Sequence, residues 1–484
     1  MLDSLEDNIV DFYKGRHVFC TGATGMLGMA YLSRLVLDTR VDCVYAAVRG
    51  GEGRLWEIWR NHLPSAMVKA LRLSGKLVIW EGDITRPGCG LTTDQVALVH
   101  EKVSIFIHGA STINLQKSLD HVAQQIIYPS VALAEMALAC ANLVKFVYIS
   151  TAYANAFIPK ACDAAWVGCE AAIAEDINYI RSGCWATASM ELSDLKAYGS
   201  TPEYEFVQHP FPYSYAKHLT ERLLLEAFNK AQRDSALLIF RPSCIGPAES
   251  WPYPFYEVPG SCTTTAALAA FIANPPTTMR FSSYLLDTSA ATIDEVPVDI
   301  VVNRLVAHVA FESSGCVHAV GGSKGRHRIE DVFHIASRLR RFWWGRPKLV
   351  WCREDWKSPR LCTLARLFTI AGCSFVFEES KTERIWDRMS GAERSVWPLW
   401  SCQDIPVLDN LVGREKACMA LIMGPPFLEE KAAGIDFVET IGTESKQAPF
   451  RDRIGIGNDY AHGTALLRTP SHGRRVAGPS KSGS

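Results

Sequence analysis

Hydrophobic residues in the first 250 positions come in short, near-continuous runs rather than in strict alternation with polar ones. Six of these runs are rich in β-branched and aromatic residues: HVFCTG (17–22), VDCVYAAVR (41–49), KLVIWEGD (76–83), VSIFIHGA (103–110), VKFVYIS (144–150) and SALLIFRPS (235–243). Helical patterns lie between them. The stretch 26–38 puts Leu27, Ala30, Leu32, Leu35 and Val36 on overlapping faces, and 126–140 is rich in Ala and Leu. Strands that are apolar on both faces, alternating with helices, are what a parallel sheet covered on both sides requires. The pattern predicts an α/β fold with a doubly wound parallel sheet of the Rossmann type, built on six strands.

Beyond residue 250 the pattern loosens. Pro, Gly and Thr accumulate in WPYPFYEVPGS and ANPPTTM, which predicts substrate-binding loops and short elements over 245–325. Residues 326–440 are expected to form a mainly helical C-terminal domain that carries the Trp- and Arg-rich stretch SRLRRFWWGRPK. The Gly/Ser-rich residues 441–484 lack hydrophobic periodicity and are expected to be a disordered tail. The apolar run LCTLARLFTIAGCSFVF (361–377) is short for a bilayer span and contains Arg366. Its first reading is buried core. Peripheral membrane contact is the second reading, both for this run and for the Trp/Arg stretch.

A chain of 484 residues is long enough for two globular parts. Its 50 basic and 51 acidic residues leave a net charge of -1, which argues against a nucleic-acid partner. The 15 cysteines are scattered, with no CxxC pair and no zinc-ligand spacing, so no metal is expected and the thiols fit a reducing compartment. The acidic start MLDSLEDNIVDFYKG lacks the features of a secretory signal. A cytoplasmic location is the expectation.

Candidate chemistry begins at CTGATGMLG, which sets Gly22, Gly25 and Gly28 between the first strand and the following helix. The first glycine permits a tight turn, the second lets backbone approach a pyrophosphate, and the third lets helix and strand pack closely. The helix start adds unsatisfied N–H groups and a partial positive charge. Thr24, Met26 and Leu27 complete this candidate dinucleotide cradle. At the end of the second strand stands Arg49, where a carboxylate would favour NAD; a cation there accommodates the 2′-phosphate and points to NADPH. Asp83 and Ile84 follow the third strand, where the carboxylate can accept from an adenine amino group, and Ala110 ends the fourth.

Two further motifs supply hydroxyls and a cation. YISTAY puts Ser150 and Thr151 after the fifth strand, and PYSYAKHLTE puts Tyr213 and Lys217 four apart at the start of a helical pattern. That spacing places both on one helix face, so that a neighbouring ammonium is expected to lower the phenol's pKa. Thr151 can hydrogen-bond a substrate oxygen as charge develops on it. Tyr215 has no Lys four residues on and is set aside.

The order of these motifs resembles the extended short-chain dehydrogenases. Four stretches resemble one of their branches, the fatty acyl-CoA reductases or male-sterility-type reductases: IVDFYKGRHVFCTGATGMLG, KFVYISTAYAN, PYSYAKHLTE and FRPSCIGPAESWPYPFYEVPG. The long gap between Thr151 and Tyr213 is similar to that branch, which implies that residues 155–212 help to shape the substrate region, and DEVPVDIVVNRL (294–305) is similar too; the likeness covers about residues 8–325. It implies Thr151, Tyr213 and Lys217 as the catalytic set, the three glycines at the pyrophosphate, and the turn Arg241–Pro242–Ser243 near nicotinamide. The implied substrate is an acyl-CoA or acyl-carrier thioester, reduced to aldehyde or alcohol. The alternatives are another carbonyl compound, such as a polyketide thioester, sterol or sugar nucleotide, or NADPH binding without chemistry. One departure stands out: Gln125, Tyr128 and Pro129 occupy the places where the family has an Asn and then a Gly-Thr pair.

Overall fold

The computed structural model describes residues 8–115, 117–160, 170–176, 186–206, 209–273, 278–336, 348–361, 363–401 and 414–423. Its centre is a seven-stranded sheet: β1 (His17–Thr21), β2 (Cys43–Val48), β3 (Leu77–Glu81), β4 (Ile105–His108), β5 (Lys145–Ile149), β6 (Leu237–Pro242) and β7 (Gly315–Ala319). The spatial order is β7-β6-β5-β4-β1-β2-β3, and every neighbouring pair is parallel. The six strands expected from the apolar runs are all present.

The seventh strand corrects the expectation for residues 245–325. That stretch holds loops and short elements, but it also returns to the central sheet through a 13-residue helix, Val298–Ala310, and then β7. The sequence GCVHA hides its strand because it is only five residues long, opens on Gly and includes a buried His318.

Two helices that flank β1 explain one face of the sheet. Helix α1 (Met26–Asp38) and helix Val298–Ala310 pack against each other, and Met29, Leu32, Leu35, Val301 and Leu305 join Val18 and Val44 in one core. On the other face, Phe19, Phe106, Phe146, Leu133 and Phe228 form a second core. Each fully buried Phe of this kind contributes roughly 1.5–3 kcal/mol relative to an exposed one. The strand order changes direction between β1 and β4, and this opens the crevice at the C-terminal ends of the strands where ligands of such sheets bind.

The substrate-side core brings together residues from distant parts of the chain: Phe157, Ile173, Leu268, Phe281, Ile335, Leu364, Phe375 and Leu421. Residues after 326 are helical for the most part among the described residues, but their strands pair with earlier ones. Arg326–Arg328 pairs with Thr292–Pro297, Lys348–Cys352 with Thr278–Ser282, and Phe375–Phe377 with Ala171–Ile173. A boundary at 325 therefore runs through a sheet. The run 361–377 is core in its described part: it forms a short helix, Thr363–Leu367, and the strand Phe375–Phe377, and Leu361, Leu364, Ala371 and Phe375 are buried. No helix among the described residues is long and apolar enough to cross a membrane. The Trp/Arg-rich 337–347 and the expected tail 441–484 lie outside the described residues.

Candidate active site

The turn after β1 carries the reasons for its glycines in its own geometry. Gly22 has φ +87°, and a Cβ there would come within 2.7 Å of the Gly109 carbonyl carbon. A Cβ on Gly28 would fall on the Gly22 carbonyl oxygen, so α1 can lie this close to the turn only with glycine at that position. Gly25 differs. A Cβ there meets nothing nearer than 3.4 Å and φ is ordinary, so nothing within the protein demands glycine. Gly25 is exposed at the N-terminus of α1, on the wall of a cavity. Open space beside helix N–H groups is what a phosphate-bearing cofactor needs.

That cavity, of about 390 Å³, gathers most of the nominated residues. Gly22, Gly25, Met26, Leu27 and Gly28 form one wall; Thr151, Tyr213 and Lys217 another; Pro242 and Ser243 a third. Ile113, Leu115 and Phe211 add apolar surface, and so does Ile370, which comes from the segment after residue 325. Thr24, Arg49, Asp83, Ile84 and Ala110 stand off the cavity wall. Arg49 is exposed just beyond β2, and its cation helps to hold the Asp83 carboxyl down. Burial works to raise the Asp83 pKa, but hydrogen bonds from the Thr85 backbone and hydroxyl, with Arg49 and Arg86, outweigh it and the net shift is downward. Ala110 donates its N–H to the Thr21 hydroxyl at 3.2 Å.

Helix α2 (Pro212–Lys230) delivers Tyr213 and Lys217. Pro212 occupies its first turn, where a missing N–H costs nothing. Lys217 is buried, donates to the Ile149 carbonyl at 2.8 Å, and lies 4.7 Å from the Tyr148 ring centre and 5.9 Å from that of Tyr213. Burial pulls its ammonium down to about 7, opposed by Glu221. The expectation for Tyr213 is reversed: burial pushes its phenol up, with Cys244 adding to the rise. At 5.9 Å from the ring centre and bonded to a carbonyl, Lys217 does not offset that loss of water. Thr151 accepts from the Tyr153 N–H at 3.2 Å.

Two buried groups escape sequence reading. The first is a chain of hydrogen bonds from Thr21 Oγ1 to His108 Nδ1 (2.8 Å) and from His108 Nε2 to Ser130 (2.9 Å), with Ser130 donating to the Ile126 carbonyl at 2.5 Å. Because Ser130 uses its only proton on Ile126, His108 must donate through Nε2 and accept at Nδ1. Burial, with Lys217, holds His108 down at about 3, so the ring is neutral. This chain lies where the departure from the family pattern falls: the helix Leu119–Gln125 ends at Ile126, and a second helix, Ile127–Leu138, begins with Pro129 in its first turn. The second group is Glu221 on α2, paired with Arg241 on β6. Arg241 therefore faces into the protein, while Pro242 and Ser243 face the cavity. Its chain position shows that Arg241 is near the site, but not which way it points.

At the C-terminal ends of β2 and β3, Glu81 accepts the Gly50 N–H at 2.9 Å and Arg54 donates to the Arg49 carbonyl at 2.8 Å. A carboxylate and two guanidinium groups therefore share the place where Arg49 alone is expected. Helical spacing from the Gly50–Gly51 turn is the one signal that could have pointed to Arg54.

Comparison with solved structures shows the same fold. The terminal R domain of the myxalamid biosynthetic pathway superposes with a TM-score of 0.56 at 17% identity, covering 84% of this chain and 91% of that one. The reductase domain of a nonribosomal peptide synthetase from Mycobacterium tuberculosis gives 0.52 at 17% identity, covering 85% and 95%. Among curated proteins, Putative fatty acyl-CoA reductase CG8306 of Drosophila melanogaster is 27% identical over 341 residues, 68% of this chain and 60% of that protein. Fatty acyl-CoA reductase 1 of Gallus gallus is 26% identical over 361 residues, 69% and 63% of the two chains. The chain thus matches a little over three fifths of the length of these relatives. The family model described as Male sterility protein, a model of an NAD-binding domain, matches residues 20–305, from the end of β1 into the helix that precedes β7. With more than half of its length under that model, and the glycine turn, Thr151 and the Tyr213–Lys217 pair in order within it, the chain belongs to the male sterility protein family.

Proposed function

We propose that this protein is an NADPH-dependent reductase of fatty acyl thioesters. The observation that carries the reading is the single cavity that joins the glycine turn to Thr151, Tyr213 and Lys217 and continues into apolar side chains. The open side of Gly25 and the start of α1 fit a dinucleotide pyrophosphate, with Met26 and Leu27 beside it. When bound, the reduced nicotinamide supplies hydride. The protein's own groups do the rest. Thr151 would present its hydroxyl to the thioester oxygen, Tyr213 would deliver a proton to that oxygen, and Lys217 would place a cation near both; the thiohemiacetal so formed loses its thiol as the C–S bond breaks to give the aldehyde, and a second hydride and proton give the alcohol. Ile113, Leu115, Phe211 and Ile370 give an acyl chain an apolar path away from the reacting carbon.

The names of the Drosophila and Gallus relatives support this substrate class. In this reading residues 1–325 hold the Rossmann catalytic part and its substrate region, and the following segment, whose strands pair back onto that region, completes the apolar wall through Ile370. Incubation of the purified protein with NADPH and saturated acyl-CoA thioesters of graded length, with products identified by mass, is the test. Aldehyde or alcohol is the expected product, and Tyr213→Phe removes it while NADPH still binds. Reduction of free ketones or sugar nucleotides with no thioester turnover would replace the reading.

A further inference from the structure

Tyr213, Lys217 and Glu221 are spaced four apart on α2 and so share one face of it. Glu221 is fully buried. Its carboxylate accepts from Ser150 Oγ at 2.5 Å and from Arg241 Nε and Nη2 at 3.0 and 2.6 Å. Arg241, equally buried, also donates from Nη1 to the Glu175 carbonyl at 3.1 Å. One side chain thus ties together the three segments that carry the candidate chemistry: the end of β5 with Ser150 and Thr151, the helix with Tyr213 and Lys217, and the end of β6 before Pro242 and Ser243. Holding a carboxylate out of water is unfavourable unless it is paired and hydrogen-bonded, and here it is both.

The surroundings of Lys217 show what this arrangement adds beyond packing. Its ammonium faces the Ile149 carbonyl, the Tyr148 and Tyr213 rings, and neutral His108 on β4. Arg241 on β6 is bound through Nε and Nη2 to the Glu221 carboxylate. Glu221 stands one helical turn from Lys217 on the same face, which sets its carboxylate beside the ammonium.

We propose that Glu221 is a positioning residue of the active site: it fixes the Ser150–Thr151 turn through Ser150 and keeps Lys217 in its ammonium form, with Arg241 holding the carboxylate in place. The consequence for turnover rests on the reading of Tyr213 and Lys217 given under Proposed function. The downward pull of burial on Lys217, to about 7, leaves its charge near balance at neutral pH, so a modest change in local field alters how much ammonium is present.

The test is the titration of Lys217 in the full chain, read as the pH dependence of reductive methylation by formaldehyde and quantified at that lysine by peptide mass. Wild type is compared with Glu221→Gln and Glu221→Asp. The midpoint is expected to fall by about one pH unit in the Gln variant and by less in the Asp variant, which keeps the charge but withdraws it by one methylene. The alkaline limb of NADPH-dependent turnover should move by the same amount. An unchanged Lys217 midpoint in a folded Gln variant overturns the proposal; if circular dichroism shows that variant unfolded, an unchanged midpoint in Asp does so. The methylation needs no substrate, so a shifted midpoint in a protein that turns over no thioester would count against the proposed function alone.

Discussion

The indole Nε1 of Trp59 donates to the carbonyl of Ala23 at 2.9 Å, joining the helix after β2 to the middle of the glycine turn. Trp59 is fully buried and stacks edge-on against Trp56, so the bond forms in a dry environment. Replacing it with Phe keeps most of the apolar bulk and removes the donor, leaving the Ala23 carbonyl unpaired. The expected loss is about 1–3 kcal/mol of stability. Thermal unfolding measures it, and a Trp59→Phe protein that melts like wild type would show that the bond does not brace the turn.

The glycines of that turn make a sharper test because they should separate. Gly28→Ala forces a methyl onto the Gly22 carbonyl oxygen and should destabilise the fold itself, seen as a lowered melting temperature without any cofactor. Gly25→Ala meets nothing closer than 3.4 Å, so the melting temperature of the free protein should stay close to wild type. NADPH binding, followed by fluorescence, should nevertheless weaken at least tenfold in Gly25→Ala, because the methyl takes the space that the pyrophosphate requires. Equal loss of stability in both variants would contradict this division of roles.

The contrast also shows what the sequence can convey. Six central strands are legible because their apolar runs are nearly continuous, and the tight turn after β1 is legible because three glycines at fixed spacing follow a strand and open a helix. Side-chain direction is not legible. Arg241 sits beside two cavity residues, yet pairs with Glu221 in the interior, and the local pattern around it is the same for either orientation. The Tyr213 phenol is misjudged for a related reason: four-residue spacing brings Lys217 alongside but carries no information about burial or about the Ile149 carbonyl that claims the ammonium. β7 is missed because a five-residue strand acquires its identity from β6 beside it.

Cofactor choice should depend on the cluster at the end of β2. Arg49→Ala removes a charge-assisted partner for a 2′-phosphate, worth about 1.5–3 kcal/mol, so NADPH affinity should fall about tenfold or more while NADH affinity holds. Glu81→Gln should act in the opposite direction, since its carboxylate accepts from Gly50 beside Arg49 and would repel a phosphate bound there. Paired titrations of NADPH and NADH with the two variants give the answer. If both variants leave the NADPH-to-NADH ratio as it is, the phosphate does not lie there.

Acid stability follows from His108. Bound on both nitrogens and buried, it is held down at about 3, whereas the unfolded chain has a histidine of about 6.5. At pH 7 both states are neutral and the group contributes no pH dependence. As pH falls below about 6.5 the unfolded chain takes up a proton that the folded one refuses, so folding loses about 1.4 kcal/mol per pH unit from this residue until about pH 3. His209, His308 and His318 are held down to about 3 in the same way, chiefly by burial, and add to the loss. Asp294, raised to about 6 by burial, has the opposite sign: folded protein binds its proton first, which offsets one histidine between about pH 6 and 3.8. The clean measurement is therefore a difference. The slope of unfolding free energy against pH, between pH 6 and 5, should be shallower by about one proton in His108→Gln than in wild type; parallel slopes would mean that His108 is protonated in the fold, donating from both Nδ1 and Nε2.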